Sequence, residues 1–232
     1  MSQYRQSPFA NLTPVVKNLL IINLICFIPY IVLSSNDYDN KVVSNMGLFY
    51  FNSPHFKVWE IITYMFFHGG WEHILFNMLA LFMFGPILEY AIGGVRFFNL
   101  YFICGIGAAL FQMVVQAVEV HAIIDSFTLY PDLPNLDQAA VDKLQGIYAG
   151  PVIGASGAIF GVVVAFAMLY PDMELMILFI PVPVKAKYLI PVYVIIELIS
   201  GFGQFSGDNV AHFAHIGGAL LGFIMIKIWR YR

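Results

Sequence analysis

Three groups of polar residues interrupt stretches that are otherwise apolar, and their side chains are of the kinds that transfer acyl groups. Ser156 sits in the run Gly154-Ala155-Ser156-Gly157, His215 in Ala214-His215-Ile216-Gly217-Gly218, and His73 and Asn77 open a third stretch. A serine hydroxyl is a weak nucleophile until a base takes its proton, so a histidine within hydrogen-bond reach is its natural complement. The oxyanion formed by attack on a carbonyl then needs donors around it. His73 and Asn77 are four residues apart, which puts both on one face of a helix, and each carries a side-chain donor. Ser156 is expected in the first turn of its helix, where backbone amides lack intrahelical partners and the dipole favours negative charge.

Each residue taken singly has a plainer use. A serine in a membrane helix commonly bonds a backbone carbonyl, a packed histidine does the same across helices, and His73 with Asn77 could merely satisfy a helix start. The glycines decide between the readings. Gly157, Gly161 and Ala165 form a small-residue stripe at four-residue spacing, Gly218 and Gly222 form another, and His215 precedes Gly218 by one turn. Two helices meeting along such stripes approach closely and bring the Ser156 hydroxyl to the His215 imidazole. His212 competes for the same role but lies three residues nearer the outer end of its span, out of register with the glycines.

The elements that must position these groups are membrane helices. Hydrophobic residues make up 60% of the 232 and charged residues 11%, against ~45–50% and ~25% for a soluble domain. Such a chain has too little charge to cover a soluble surface. Six spans are expected, at about 15–33, 73–92, 97–118, 154–170, 188–202 and 210–229, each near the ~20 residues that cross ~30 Å of hydrocarbon. Pro181, Pro183 and Pro191 interrupt the fifth. The fold class is therefore an all-α membrane protein, a bundle of six transmembrane helices in a single domain over residues 1–232. No small-residue cleavage site follows the first apolar run, so that run is expected to be kept as a span.

Two connectors stand outside the bundle. The first, about 34–72, is rich in aromatics and is expected to lie partly in the bilayer surface. The second, about 121–151, carries Asp125, Asp132, Asp137 and Asp142 and is expected in water. With a short cytoplasmic N-terminal tail, inner segments would hold Arg5, Lys17, Arg96, Lys185, Lys187, Lys227, Arg230 and Arg232, and outer ones only Lys41, Lys57 and Lys143. That asymmetry predicts both termini in the cytoplasm. A net charge of −3 speaks against a nucleic-acid partner, and Cys26 and Cys104 lie in apolar runs unsuited to a disulfide.

At the polar clusters the chain resembles the rhomboid family of intramembrane serine proteases. The similarity rests on Gly-x-Ser-Gly at Gly154 to Gly157, His-x-x-x-Asn at His73 to Asn77, and Ala-His-x-x-Gly-x-x-x-Gly from Ala214 to Gly222, in that family's order along the chain. The resemblance implies a Ser156–His215 dyad without an acidic third member, in a six-helix fold whose site is sunk below the outer face. It implies an oxyanion site of His73, Asn77 and the Ser156 amide, with Gly154, Gly157, Phe160 and Gly218 in support. It implies transmembrane protein substrates in a lipid bilayer and neither metal nor organic cofactor. The membrane expected is a bacterial inner membrane, since no organelle-targeting extension is evident. Three positions stand out. Phe160 replaces a tyrosine that stacks on the histidine in many relatives, Glu60 follows Trp59 where many carry arginine, and Glu89 matches a family glutamate with a structural role.

The residues bear on two other classes. A silent relative that only binds membrane helices would usually have lost the serine or the histidine, and both are present. A transporter would show charged residues along a path, whereas Glu89 and Glu197 are the main ones inside spans and no inverted repeat is evident. The zinc signature His-Glu-x-x-His and the aspartyl signature Gly-x-Gly-Asp are both missing from the chain.

Overall fold

In hydrocarbon every backbone amide and carbonyl must find a partner inside its own segment, which restricts long apolar runs to helices. The computed structural model describes residues 12–130, 136–177, 180–203 and 210–229 and is mostly helical. The N-terminal tail to residue 11, Asp132, Arg230 and Arg232 lie outside the described residues. Four helices are long and apolar enough to cross a membrane: α1 (Pro14–Val32), α5 (Trp71–Ile92), α6 (Gly94–Ile124) and α9 (Ala186–Gly203). Two apolar helices are shorter, α8 (Ser156–Leu169) and α10 (His212–Ile228).

Of the six spans expected, four are thus matched by helices of spanning length, and the fourth and sixth fall on the two shorter helices. At 1.5 Å per residue α8 runs about 21 Å and α10 about 26 Å, less than the ~30 Å core. Local chemistry ends α8 on both sides. Before it, Gly154 adopts φ +131°, and Val152 exchanges both backbone hydrogen bonds with Leu48 at 2.8 Å. After it, Pro171 forces Tyr170 out of helical geometry, to φ −125° and ψ 56°. The following apolar stretch is also not helical at first. Strands β1 (Glu174–Ile177) and β2 (Ile180–Lys185) form an antiparallel hairpin pairing Glu174 with Lys185, and with only two strands each has a free edge that tolerates proline.

The bundle is centred on α6, α8 and α10, with α5 and α9 flanking α8. Its core includes Tyr64, Met65, Leu81, Leu100, Cys104, Ala158 and Val162, all nearly inaccessible. Outward side chains such as Ile21, Leu24 and Ile28 on α1 and Ile195 and Ile199 on α9 are exposed, as a lipid-facing surface requires. Glu89, in the last turn of α5, accepts the Val15 amide at 3.1 Å and the Val16 amide at 2.9 Å. A carboxylate from one helix thus caps the N-terminus of another, which gives that residue its structural role.

The first connector is bound to the protein through its own polar groups. It carries short helices α2 (Ser35–Tyr38), α3 (Ser44–Met46) and α4 (Glu60–Thr63), and α4 is joined to α3 by bonds from Trp59 Nε1 to the Asn45 carbonyl at 2.9 Å and from Thr63 Oγ1 to the Met46 carbonyl at 2.8 Å. The Tyr64 hydroxyl reaches the Gly105 carbonyl at 2.7 Å. Glu60 is fully buried; it accepts the Phe49 amide at 3.1 Å and has Lys57 Nζ at 3.7 Å. Its charge therefore faces the connector's interior, where desolvation pushes the carboxyl above the usual carboxylate range despite those partners.

A carboxyl that binds its proton more tightly when folded adds stability below its ordinary value and loses it as pH rises through the folded one. The Tm of the wild type minus that of Glu60→Gln is expected to be more positive at about pH 5 than at about pH 8. A difference independent of pH in thermal denaturation would contradict this account of Glu60.

The second connector has a structural use that composition did not suggest. Helix α7 (Gln138–Ala149) is capped by Asp137, which accepts the Ala140 amide at 2.8 Å. It buries Leu144, Ile147 and Tyr148 against Val120 and Ile124 of α6 and against Tyr50 of the first connector. Ser53 Oγ donates to the Tyr148 carbonyl at 2.6 Å. The acidic insertion buttresses the first connector.

Candidate active site

Ser156 is the first residue of α8, so its amide belongs to the set that finds no partner within the helix. The close approach of α10 follows from absent side chains. A Cβ on Gly218 would strike the backbone carbonyl of Gly157, one on Gly222 that of Gly161, and one on Gly157 would meet the Ala108 Cβ at 2.6 Å. Backbone meets backbone there, and one turn before Gly218 the approach delivers His215 to Ser156.

Ser156 Oγ lies 2.7 Å from His215 Nε2, the length of a well-made hydrogen bond involving a hydroxyl. Phe160 stacks on the imidazole with centroids 4.3 Å apart and planes 10° from parallel, and Tyr193 of α9 stacks on Phe160 at 5.2 Å. The aromatic contact expected at Phe160 is thus made without a hydroxyl. His215 is nearly buried, at 8% exposure, while Ser156 is half-buried.

The other nitrogen of His215 departs from the expectation of a pair without an acidic neighbour. Nδ1 is 2.8 Å from Glu197 Oε2, and His212 Nδ1 is 2.7 Å from the same oxygen. Sequence reading counted Glu197 only as a charge inside a span and His212 only as a rival base. The available signal was one acid on an apolar helix and two histidines three apart on the next. Their meeting is tertiary and no local spacing encodes it.

His73 and Asn77 line the same cavity as Ser156 and His215, a space of about 1050 Å³. Asn77 Nδ2 donates to the His73 carbonyl at 3.0 Å, and His73 Nδ1 accepts the Gly69 amide at 3.4 Å. Both side chains therefore face the cavity while part of their bonding is spent on their own helix start. The cavity's polar end holds these groups, and its walls, among them Phe76 and Phe84 of α5 and Val192 and Ile196 of α9, are apolar. His68, beside His73 with ring centroids 5.0 Å apart, is fully buried; burial, with the His73 ring nearby, pushes its imidazole down to about 3. It stays neutral at any working pH.

Gly154 has the tightest tolerance in the site. Its φ of +131° is a conformation that only glycine adopts without strain, and a Cβ there would lie 2.6 Å from His73 Nε2. Gly154→Ala is expected to keep the bundle folded but displace His73, Ser156 or both, slowing the reaction of Ser156 with a fluorophosphonate probe about 10²-fold, as a misplacement of about 1 Å does. Probe-labelling kinetics with a parallel thermal melt test it, and a labelling rate within twofold of wild type would contradict it.

Among the described residues one group has the make-up of a metal site, Glu197 with His212 and His215, whose ligand atoms lie within 4.8 Å of one another. Otherwise the arrangement offers a nucleophile, a base in contact with it, unpaired amides and donors over one cavity, which is the equipment of acyl transfer.

Comparison with known proteins agrees in kind. The rhomboid domain family matches residues 55–232. The chain is 30% identical over 217 residues to Rhomboid protease AarA of Providencia stuartii, covering 89% of this chain and 69% of that protein. It is 30% identical over 165 residues to Rhomboid protein 1, mitochondrial, of Saccharomyces cerevisiae, covering 71% of this chain and 40% of the yeast protein. It is 27% identical over 175 residues to Putative rhomboid protease YdcA of Bacillus subtilis, covering 73% and 68%. The chain thus spans about two fifths of the yeast relative's length and about two thirds of the bacterial ones.

Proposed function

The chain belongs to the rhomboid family, and on that premise we propose that it is an intramembrane serine endopeptidase acting through Ser156 and His215. The observation that carries this reading is the 2.7 Å contact between Ser156 Oγ and His215 Nε2 at the polar end of an accessible cavity. Ser156 Oγ attacks a peptide carbonyl while His215 Nε2 takes the hydroxyl proton. The tetrahedral oxyanion is held by the Ser156 amide, His73 and Asn77. As the C–N bond breaks, Nε2 returns the proton to the leaving amine, and a water activated by the same ring then hydrolyses the acyl-enzyme.

The substrates proposed are single-span membrane proteins, cut within or beside the span. Apolar walls from α5 and α9 around a polar end suit an apolar segment presenting one carbonyl. In this reading residues 1–232 act as one domain crossing the membrane six times, with α8 and α10 as the two short crossings. The excess of cations on the inner segments supports both termini facing the cytoplasm, and the membrane of this reading is a bacterial inner membrane. No cofactor takes part.

The test is incubation of purified protein with a panel of tagged single-span substrates, beside a fluorophosphonate probe and a Ser156→Ala control. Cleavage and labelling by the wild type, both lost in the control, are the results expected. Cleavage retained by Ser156→Ala would sink the proposal, and a wild type that neither labels nor cleaves would make the chain a binder of membrane helices.

A further inference from the structure

We infer that Glu197 is a positioning residue for His215, a carboxylate that fixes the imidazole as its Nδ1–H tautomer and faces the charge it acquires during the reaction. The inference rests on the protease reading and adds to it a third member acting through the histidine. Glu197 lies on α9, whose neighbouring side chains Ile195 and Ile199 are exposed on the apolar surface, yet Glu197 itself is only 6% exposed. A charge in that position is costly unless it is bonded. Its partners are the two imidazoles that share Oε2, His215 at 2.8 Å and His212 at 2.7 Å.

The geometry dictates the proton arrangement. A carboxylate oxygen only accepts, so each Nδ1 facing it must donate. With the proton on Nδ1, the neutral His215 ring leaves Nε2 as an acceptor, and Nε2 is the atom 2.7 Å from Ser156 Oγ. The ring is thereby held ready to take the hydroxyl proton. When it does, the imidazolium stands between the new oxyanion and Glu197, which keeps its charge and takes no proton. His212 donates to the same oxygen and holds the carboxylate in place, while Phe160 holds the ring plane. Ser156, His215, Glu197 and His212 form one chain of hydrogen bonds across three helices.

The experiment uses the purified full chain in three forms: wild type, Glu197→Gln and Glu197→Asp. Gln keeps the shape and an acceptor but removes the charge. Its kcat is expected to fall about 10²-fold with KM within about twofold and the melt nearly unchanged, while Asp recovers at least about tenfold of the loss. A carboxylate with only a structural role would lower the melting temperature and leave the kcat of the folded fraction intact. A Glu197→Gln kcat within twofold of an active wild type would overturn the inference and spare the protease reading, whereas an inactive wild type would count against that reading alone.

A second measurement needs neither activity nor a variant at Glu197. In ¹⁵N-histidine NMR of the wild type, with His215→Ala for assignment, the neutral His215 ring is expected to carry its proton on Nδ1. An Nε2–H tautomer would overturn the inference. So would an unprotonated Nδ1 that becomes protonated on chelation, the sign of a divalent cation held by the same three residues.

Discussion

Gly218→Ala is expected to lower stability by about 3 kcal/mol or more, which lowers Tm by about 6–12 °C in a chain of this size. In an open helix the same change helps, since alanine is the better helix former by about 1 kcal/mol. Here the added Cβ would fall on the Gly157 carbonyl. That obstacle is backbone within α8 and has no rotamer to yield, so α8 and α10 must separate. Gly146, in α7, is the control, since a Cβ there meets nothing within 4 Å. Gly146→Ala should leave Tm unchanged or raise it slightly. Equal effects at the two positions would contradict the close approach of α8 and α10. Because Ser156 and His215 sit on the same two helices, Gly218→Ala should lose activity even below its melting range.

The second large effect is on rate. Ser156→Ala and His215→Ala are each expected to lower kcat about 10⁴-fold or more, and the double variant should be no slower than the worse single one. Nucleophile and base act as one unit, so removing either leaves the other nothing to do, and their losses do not add. Stability should move little for Ser156→Ala, which deletes one hydrogen bond worth about 1 kcal/mol, or about 2–4 °C in Tm. Single-turnover cleavage of a tagged substrate gives the rates, and a thermal melt gives the stability. Losses that add on a logarithmic scale would mean that the two residues contribute independently, and the direct proton transfer proposed between them would have to be abandoned.

Residue types and spacing carried the parts of this protein that depend on local period. Glycines four apart predicted a tight helix pair, and Gly157 with Gly161 does face Gly218 with Gly222. The serine and histidine flanking those stripes are in contact, and His73 and Asn77 do share a cavity with them. Features that depend on meetings between distant segments were not legible. Glu197 reads as an isolated charge until α9 is laid against α10. Glu60 reads only as a departure from the arginine that many relatives carry until the connector folds over it and the Phe49 amide finds it. The acidic connector, read as water-exposed, contains a helix whose apolar side packs on Val120 and Ile124 of α6 and on Tyr50.

Helix length was legible only in part. An apolar run shows where hydrocarbon is tolerated, whereas the helix inside it begins and ends where backbone chemistry allows. The positive φ of Gly154 and the proline after Tyr170 trim α8 to fewer residues than its hydropathy suggests. The same trimming leaves Ser156 at a helix start with its amide unspent, so the short helix and the proposed oxyanion donor have one cause.

The Glu89 cap on α1 has a consequence in time. The Val16 amide and the carboxylate that accepts it are 73 residues apart in the chain, so at about 5–20 residues per second a ribosome needs about 4–15 s to supply the second after the first. Through that interval the Val15 and Val16 amides lack the carboxylate that accepts them in the folded protein. They must be kept in water or among lipid headgroups, because hydrocarbon offers them nothing. The cap therefore acts as a latch on biogenesis: the first hairpin locks only after the end of α5 has been synthesised.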